Sequence, residues 1–345
     1  MLENIQRLGQ GQRLLIFILI FGGGLFILVA LTILLIRGNE TPQTRSQSVA
    51  LVDEVTVREF ATLPDDDAYP AAVLATTTGQ IYTASYLTGA LWQISADGQP
   101  VEVPGSRDAL GTVAGLASAP DGTIYIVDQN DIDPATSGGS VKQRLPDGTF
   151  TTFVAAPDDR GFIIPQDIAV DSAGFVYISD RGRDEIWRFN PDGTGGLLWW
   201  TPPPLTEVTS YDTAGLEYDP TRDALVVTDG VNDTIYRVPL ADPSQAELLY
   251  HHNGRPNTPG FNGVTVGADG AIYVAALAQA GVARLQGDTL NYIAGLFRGA
   301  SDVDFAAPDR LYVTNWDQTA LARPSTTPFL PFALDLITLN PPAAG

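Results

Sequence analysis

The chain has no cysteine, one methionine, two histidines and a single lysine, Lys142, among 345 residues. Without cysteine there can be no disulfide, no thiolate-ligated zinc and no thiol catalysis. No Gly-x-Ser-x-Gly elbow, phosphate-cradling glycine loop or helical zinc motif occurs, which removes the common sequence signatures of serine hydrolases, nucleotide-binding enzymes and zinc proteases. Basic residues are scarce too, 19 Lys and Arg against 40 Asp and Glu, for a net charge of −21. The part from Ser46 onward holds 38 of those acids and 15 of the bases, a surplus of 23 negative charges. Such a surface repels nucleic acid and anionic lipid and suits cations, basic partners or plain solubility. From Val55 onward no helical period is sustained, and Gly, Pro and Asp punctuate apolar runs of four to eight residues.

One long hydrophobic run is present. Leu14 to Ile36 carries no charge and is flanked by Arg13 and Arg37. At about 1.5 Å per residue it is long enough for a hydrocarbon core of about 30 Å. No small-x-small cleavage site follows it, and it exceeds a signal core of about 7 to 15 residues. It is therefore read as an uncleaved transmembrane helix, and Gly22-Gly23-Gly24 would allow close approach of another helix. Arg7 and Arg13 are balanced by Arg37 and Arg45, so charge counting does not orient it. The short leading segment points to a single-pass protein with its large domain on the extracytoplasmic side. The predicted organisation is a tail over 1–13, an anchor over 14–36, a linker over 37–54, one domain over 55–339 and a tail over 340–345.

What fills that domain is a phrase repeated six times: a short apolar strand, a turn on Asp or Gly, then a branched aliphatic residue with an aromatic or aliphatic partner. The second strands open at Ile81, Ile124, Val176, Leu225, Ile272 and Leu311, spaced 43, 52, 49, 47 and 39 residues apart. All-β units at a period in the forties predict an all-β, six-bladed β-propeller, each blade burying its faces only against its neighbours. Third strands are expected at Ala90–Ile94, Ser140–Arg144, Glu185–Phe189, Thr234–Val238, Gly281–Leu285 and Ala320–Arg323. Asp97-Gly98, Asp147-Gly148 and Asp192-Gly193 supply the positive-φ residue that tight hairpins need. Either Val55–Phe60 or Phe332–Ile337 would supply the fourth strand of blade six. A terminal segment completing the blade built mainly from the other terminus would leave no open edge.

Blade three, Pro165 to Phe189, resembles an NHL repeat, as does Val227 to Val238 of blade four. The blade style is similar to that of the gluconolactonase, or senescence-marker-protein, family and its strictosidine-synthase-like relatives. The resemblance implies a divalent cation, usually Ca2+, at the top of the central channel, held by oxygen ligands just before the Gly of a Pro-Asn-Gly or Pro-Asp-Gly step. Phe261-Asn262-Gly263 matches that step, whereas the equivalent positions elsewhere are Ala71, Ala114, Gln166, Ala214 and Ser301. Asp167 and Asp302 stand one residue further on and Glu217 lies in the matching strand of blade four, so Asn262 with these three is the candidate metal set. Strand alternation turns Asp167 and Asp302 away from Asn262 unless a bulge intervenes. His251 or His252, in the loop before Asn262, is the candidate general base for lactone or ester hydrolysis.

The loop face also carries Trp199, Trp200, Tyr211, Arg181 and Arg183, a candidate binding platform for a sugar or a partner protein. Asp128, Asp180, Asp229 and Asn315 end their second strands and are read as caps on the following turns. Two functions follow: a membrane-anchored module that binds a protein or small molecule through its loop face, or a calcium-dependent lactonase or esterase. The first takes precedence because no closed ring of ligands stands at the matching positions. Membership of a larger membrane complex is compatible with the glycine triplet of the anchor.

Overall fold

A computed structural model describes residues 47–76, 78–129, 138–205, 212–254, 257–323 and 326–339. The expected anchor, both tails and Tyr211 lie outside the described residues. No helix among the described residues is long and apolar enough to cross a membrane.

Six antiparallel sheets are present among the described residues. Blades one to five run outward in chain order, as in Pro165–Val170, Val176–Asp180, Glu185–Phe189 and Leu197–Trp200 of blade three. The sixth joins the two ends of the domain. Its three inner strands are Val303–Ala307, Arg310–Thr314 and Ala333–Leu339, and Val55–Thr62 is the outermost. Val55 pairs with Leu339 and Thr62 with Ala333, so the ring is closed by the exchange of termini that an open edge would demand.

Two details differ from the sequence reading. Ala320–Arg323 is not a strand: a short helix, Gln318–Ala322, follows Asp317 in the left-handed region, and Ala333–Leu339 is the third strand instead. A short run such as Ala-Leu-Ala-Arg carries no periodicity able to separate the two states. The expected linker is also partly absorbed. Val49–Ala50 pairs with Thr289–Gly295 and makes blade five a five-stranded sheet.

The core is divided in the same sixfold way, with one hydrophobic cluster at each blade interface. Both faces of the second strands are covered, so Ile81–Ser85, Val176–Asp180 and Ile272–Ala276 are buried along their whole length. This is why they read as continuous apolar runs rather than as alternation. The recurring tyrosines contribute edge-on ring pairs, Tyr312 with Phe60 at 4.9 Å, Tyr125 with Phe153 at 4.8 Å and Tyr273 with Phe305 at 5.0 Å between centroids.

Near the axis the innermost strands come so close that side chains must shrink. A Cβ on Gly115 would lie 2.7 Å from the Gln166 carbonyl oxygen, and one on Gly263 would lie 2.7 Å from Asp302 Cα. In blades one to five the innermost strand changes register near its start, across Gln166–Asp167 in blade three and Asn262–Gly263 in blade five. A bulge of this kind re-aims the side chains on either side of it.

Candidate functional site at the two ends of the channel

All six innermost strands run the same way around the axis, so the channel has two distinct ends. Residues at the strand starts line one cavity, of about 650 Å³, on the loop face between blades four, five and six. Residues from mid-strand to the following turns line another, of about 450 Å³, towards the opposite face.

At the loop-face mouth, Arg181 and Asp212 form a two-pronged ion pair, Nε to Oδ1 at 2.6 Å and Nη2 to Oδ2 at 3.1 Å. Burial raises the Asp212 pKa, and the adjacent guanidinium works against that rise. Asn262 sits beside them, with Trp316, Asp317 and Phe297 across the cavity. One Asp317 oxygen accepts from the Phe329 amide at 2.8 Å, and Arg298 donates to the carbonyls of Phe329 and Pro331. The charged side chains of the wall are thus engaged with protein groups.

A calcium ion requires about six to eight oxygens, several of them carboxylate. The positions that would supply them at this mouth are Ala71, Ala114, Gln166, Ala214, Asn262 and Ser301. Only three bear a side-chain oxygen, and Ser301 is already bonded to the Ala71 carbonyl and to Thr314. The mouth residues therefore do not fit the cation that the resemblance implies. Among the described residues no group of three or more acids, histidines or cysteines is arranged to hold a metal ion.

Towards the opposite end the channel wall holds Asp167, Glu217, Asp302 and Asp304, and none of the described residues lining that cavity is basic. The three aspartates serve the fold. Asp167 accepts from its own strand at Ile168 and from Leu216 of blade four, both at 2.8 Å. Asp302 accepts from Val303 at 2.9 Å and from Val73 of blade one at 2.8 Å. Asp304 accepts from Phe305 and from Ala75, both at 2.7 Å, with Thr265 donating at 3.3 Å. Each carboxylate thus stitches two blades through amides on the channel-facing edge that no further strand can satisfy. Blade three and blade six stand opposite each other in the ring, and Gly115 and Gly263 of the preceding blades make room for Asp167 and Asp302.

Four carboxylates sharing one channel do not ionise independently. Burial pushes Asp167 up to about 7 and Asp304 up to about 6, against the pull of their amide bonds. Asp302 and Glu217 are raised well above the carboxylate range by burial and then by the neighbouring acids. Protonated carboxyls near neutral pH are chemically competent as acids.

The candidate metal set is therefore split. Asp167, Glu217 and Asp302 come together with Asp304, which sequence reasoning missed, and Asn262 belongs to the other cavity. The Asp302-Val-Asp304 alternation places two acids on one strand face and was a legible signal. Asp212 and Trp316, also missed, carry no comparable mark.

His251 ends the outer strand of blade four, paired with Thr234. His252 is held by Tyr250 Oη at Nδ1, 3.2 Å, and by the Gly254 carbonyl at Nε2, 2.7 Å. Neither histidine lines either cavity. Trp199 and Trp200 are buried, 8% and 7% exposed, in the core between blades three and four, against Tyr177 and Tyr236. They pack largely inward, because the bulge between Ile186 and Trp187 lets two consecutive side chains turn into the core, and their remaining surface lines a shallow cavity of about 410 Å³ with Pro203 and Pro243. Arg183 is likewise internal, enclosed by Asp158, Asp180 and Glu185, which leaves Arg181 as the arginine of this pair that reaches the mouth. Of the strand-end caps, Asp229 binds the following turn at Val231 and Asn232, both 2.9 Å. Asp180 accepts from Gly182 of its following turn at 3.2 Å and also reaches back to the loop entering its blade, at Ile163 and Ile164, while Asp128 reaches back to Gly111 and Thr112.

A six-bladed propeller with a polar cavity at its loop-face mouth is the class that fold and site define. Residues 109–316, more than half of the chain, match the SMP-30/gluconolactonase/LRE-like region, and the protein belongs to that family. No curated protein matches it significantly in sequence. Among solved structures it is similar to a gluconolactonase from Xanthomonas campestris, 12% identical with a TM-score of 0.61, over 87% of this chain and 97% of that one. It is also similar to a virginiamycin B lyase from Staphylococcus aureus, 13% identical with a TM-score of 0.57, over 83% and 100% of the two chains. A luciferin-regenerating enzyme is 13% identical with a TM-score of 0.59, over 82% and 95%. At these identities the likeness concerns the fold.

Proposed function

We propose that this protein binds a small molecule in the loop-face cavity and does so without a catalytic metal at the channel mouth. The observation that carries this reading is the composition of the mouth: at the family's ligand positions stand three alanines, Gln166, Asn262 and Ser301, beside an ion pair that is already neutralised. Such a wall offers hydrogen bonds and aromatic surface rather than a charged grip. The apolar run over 14–36 supports tethering to a membrane, and the short segment before it favours a propeller on the extracytoplasmic side, where this face would meet ligands or a partner protein.

A second reading is a lactone or ester hydrolase, favoured by membership of the family and by Asn262 at the family's position. The two separate in one experiment: turnover of a panel of lactones and aryl esters, with Ca2+ and with EDTA, alongside ligand-induced shifts of Tm. Metal-independent Tm shifts without turnover are expected. EDTA-sensitive turnover that disappears in Asn262→Ala would establish the hydrolase and overturn the binding reading.

A further inference from the structure

We infer that Asn253 is a site of spontaneous covalent modification, at which the Gly254 amide nitrogen closes on the Asn253 side chain and converts it to aspartate and isoaspartate.

Eight Asn-Gly or Asp-Gly steps occur in the chain, and each is open to such ring closure as a sequence, because glycine has no Cβ to hinder the approach. The structure separates them. In all six Asp-Gly steps the glycine N–H donates to a backbone carbonyl at 2.8 to 3.0 Å, as Gly148 does to Leu145 at 2.9 Å. Of the two Asn-Gly steps, Asn262-Gly263 is locked: Asn262 is 9% exposed, and the Gly263 N–H donates to the Ser301 carbonyl at 2.9 Å. Asn253-Gly254 is not. Both residues are exposed, and neither the Asn253 side chain nor the Gly254 N–H has a hydrogen-bond partner among the described residues.

The reaction needs that freedom. The Gly254 nitrogen gives its proton to water or hydroxide and attacks Asn253 Cγ. The new C–N bond closes a succinimide ring, and Nδ2 takes up a proton and leaves as ammonia. Water then opens the ring: cleavage between the nitrogen and Cγ leaves aspartate, whereas cleavage between the nitrogen and the backbone carbonyl carbon leaves isoaspartate, with the chain running through Cγ. A glycine N–H bonded to a carbonyl must first break that bond, and one inside a blade needs a local opening of the sheet as well. Conversion adds a negative charge beside His252, whose Nε2 meets the Gly254 carbonyl oxygen at 2.7 Å, in the loop that leads to Gly260 on the wall of the loop-face cavity.

The test incubates the full chain in detergent at pH 8, folded and in urea. Asn253 and Asn262 are followed by peptide mapping with fragmentation, and isoaspartate is counted with isoaspartyl methyltransferase. In the folded protein Asn253 is expected to convert at least about tenfold faster than Asn262, and in urea the two rates should come within about threefold of each other. Asn253→Gln should remove the fast methyl-accepting product. Equal rates in the folded protein would overturn the inference. So would a preference that persists unchanged in urea, since local sequence rather than the fold would then decide. A fast product that survives Asn253→Gln would put the modification elsewhere and overturn it as well.

Discussion

The two ends of the channel are built from the same six strands and treat charge in opposite ways. At the loop-face mouth Asp212 meets Arg181, and the wall is closed by aromatic rings. Towards the other end four carboxylates face one another with no basic residue lining the space, and their bonds go to backbone amides of neighbouring blades. The acids that would look like a metal centre in a list of residues are thus clasps of the ring, and the cavity proposed to bind ligand is the one with compensated charge. A carboxylate does different work according to whether its partner is a guanidinium in a cavity wall or an unpaired edge amide.

The largest expected effect comes from the wall that both ends share. Gly263→Ala would set a methyl 2.7 Å from Asp302 Cα, where backbone cannot give way. A loss of at least about 3 kcal/mol in urea unfolding, or failure to fold, is expected. A near-neutral result would mean that the innermost strands are not in contact. Next in size are paired carboxyl-to-amide exchanges, one at each end, with opposite signs. Asp212→Asn uncouples Arg181 and should cost about 1 to 2 kcal/mol at pH 7. Glu217→Gln removes a charge that burial and neighbouring acids oppose and should stabilise by about 1 kcal/mol at pH 8, with little change at pH 5. Two changes of the same sign at pH 8 would erase the distinction between the ends.

The pH profile follows from the same acids. Unfolded carboxylates titrate near about 4, whereas Asp304 and Asp167 titrate near 6 and 7 in the fold. Between those values the native state binds more protons, so stability should fall as pH rises through this window. Tm measured from pH 4.5 to 8 should decline, and the decline should shrink in Glu217→Gln. A Tm that rises towards pH 8 would contradict the shared-proton channel. The smallest effect concerns Ca2+: at about 1 mM and pH 7.5 it should leave Tm within about 1 °C, and a clear rise abolished by Asp302→Asn would restore a cation to the channel.

Much of the fold was readable because each blade states itself in the same local terms. Ile or Val followed by Tyr opens a strand covered on both faces, and Asp-Gly closes a hairpin at Gly98, Gly148 and Gly193, all with positive φ. The failures lie where local signals are weak or degenerate. Ala320 to Arg323 is too short for periodicity to decide, and the left-handed Asp317 tips it into a helix. Asp180 was correctly read as a cap on its following turn, yet a sequence does not say that the same side chain also reaches back to the loop entering its blade, as Asp128 does. Trp199 and Trp200 are more buried than an open platform would be, because a bulge in the pairing, invisible in the chain itself, turned both inward.

The sequence by itself determined the number of blades, the order of strands in blades one to five and the absence of thiol chemistry, since these depend on composition and on patterns within about fifty residues. Only the tertiary structure decided which acids meet. Asp167 and Asp302 are 135 positions apart in the chain and face one channel because closing the ring brings blade three opposite blade six. The same closure left Asn262 and Trp316 in a separate cavity. Burial and mutual repulsion, which set how those groups ionise, exist only once strands from all six blades converge on the axis.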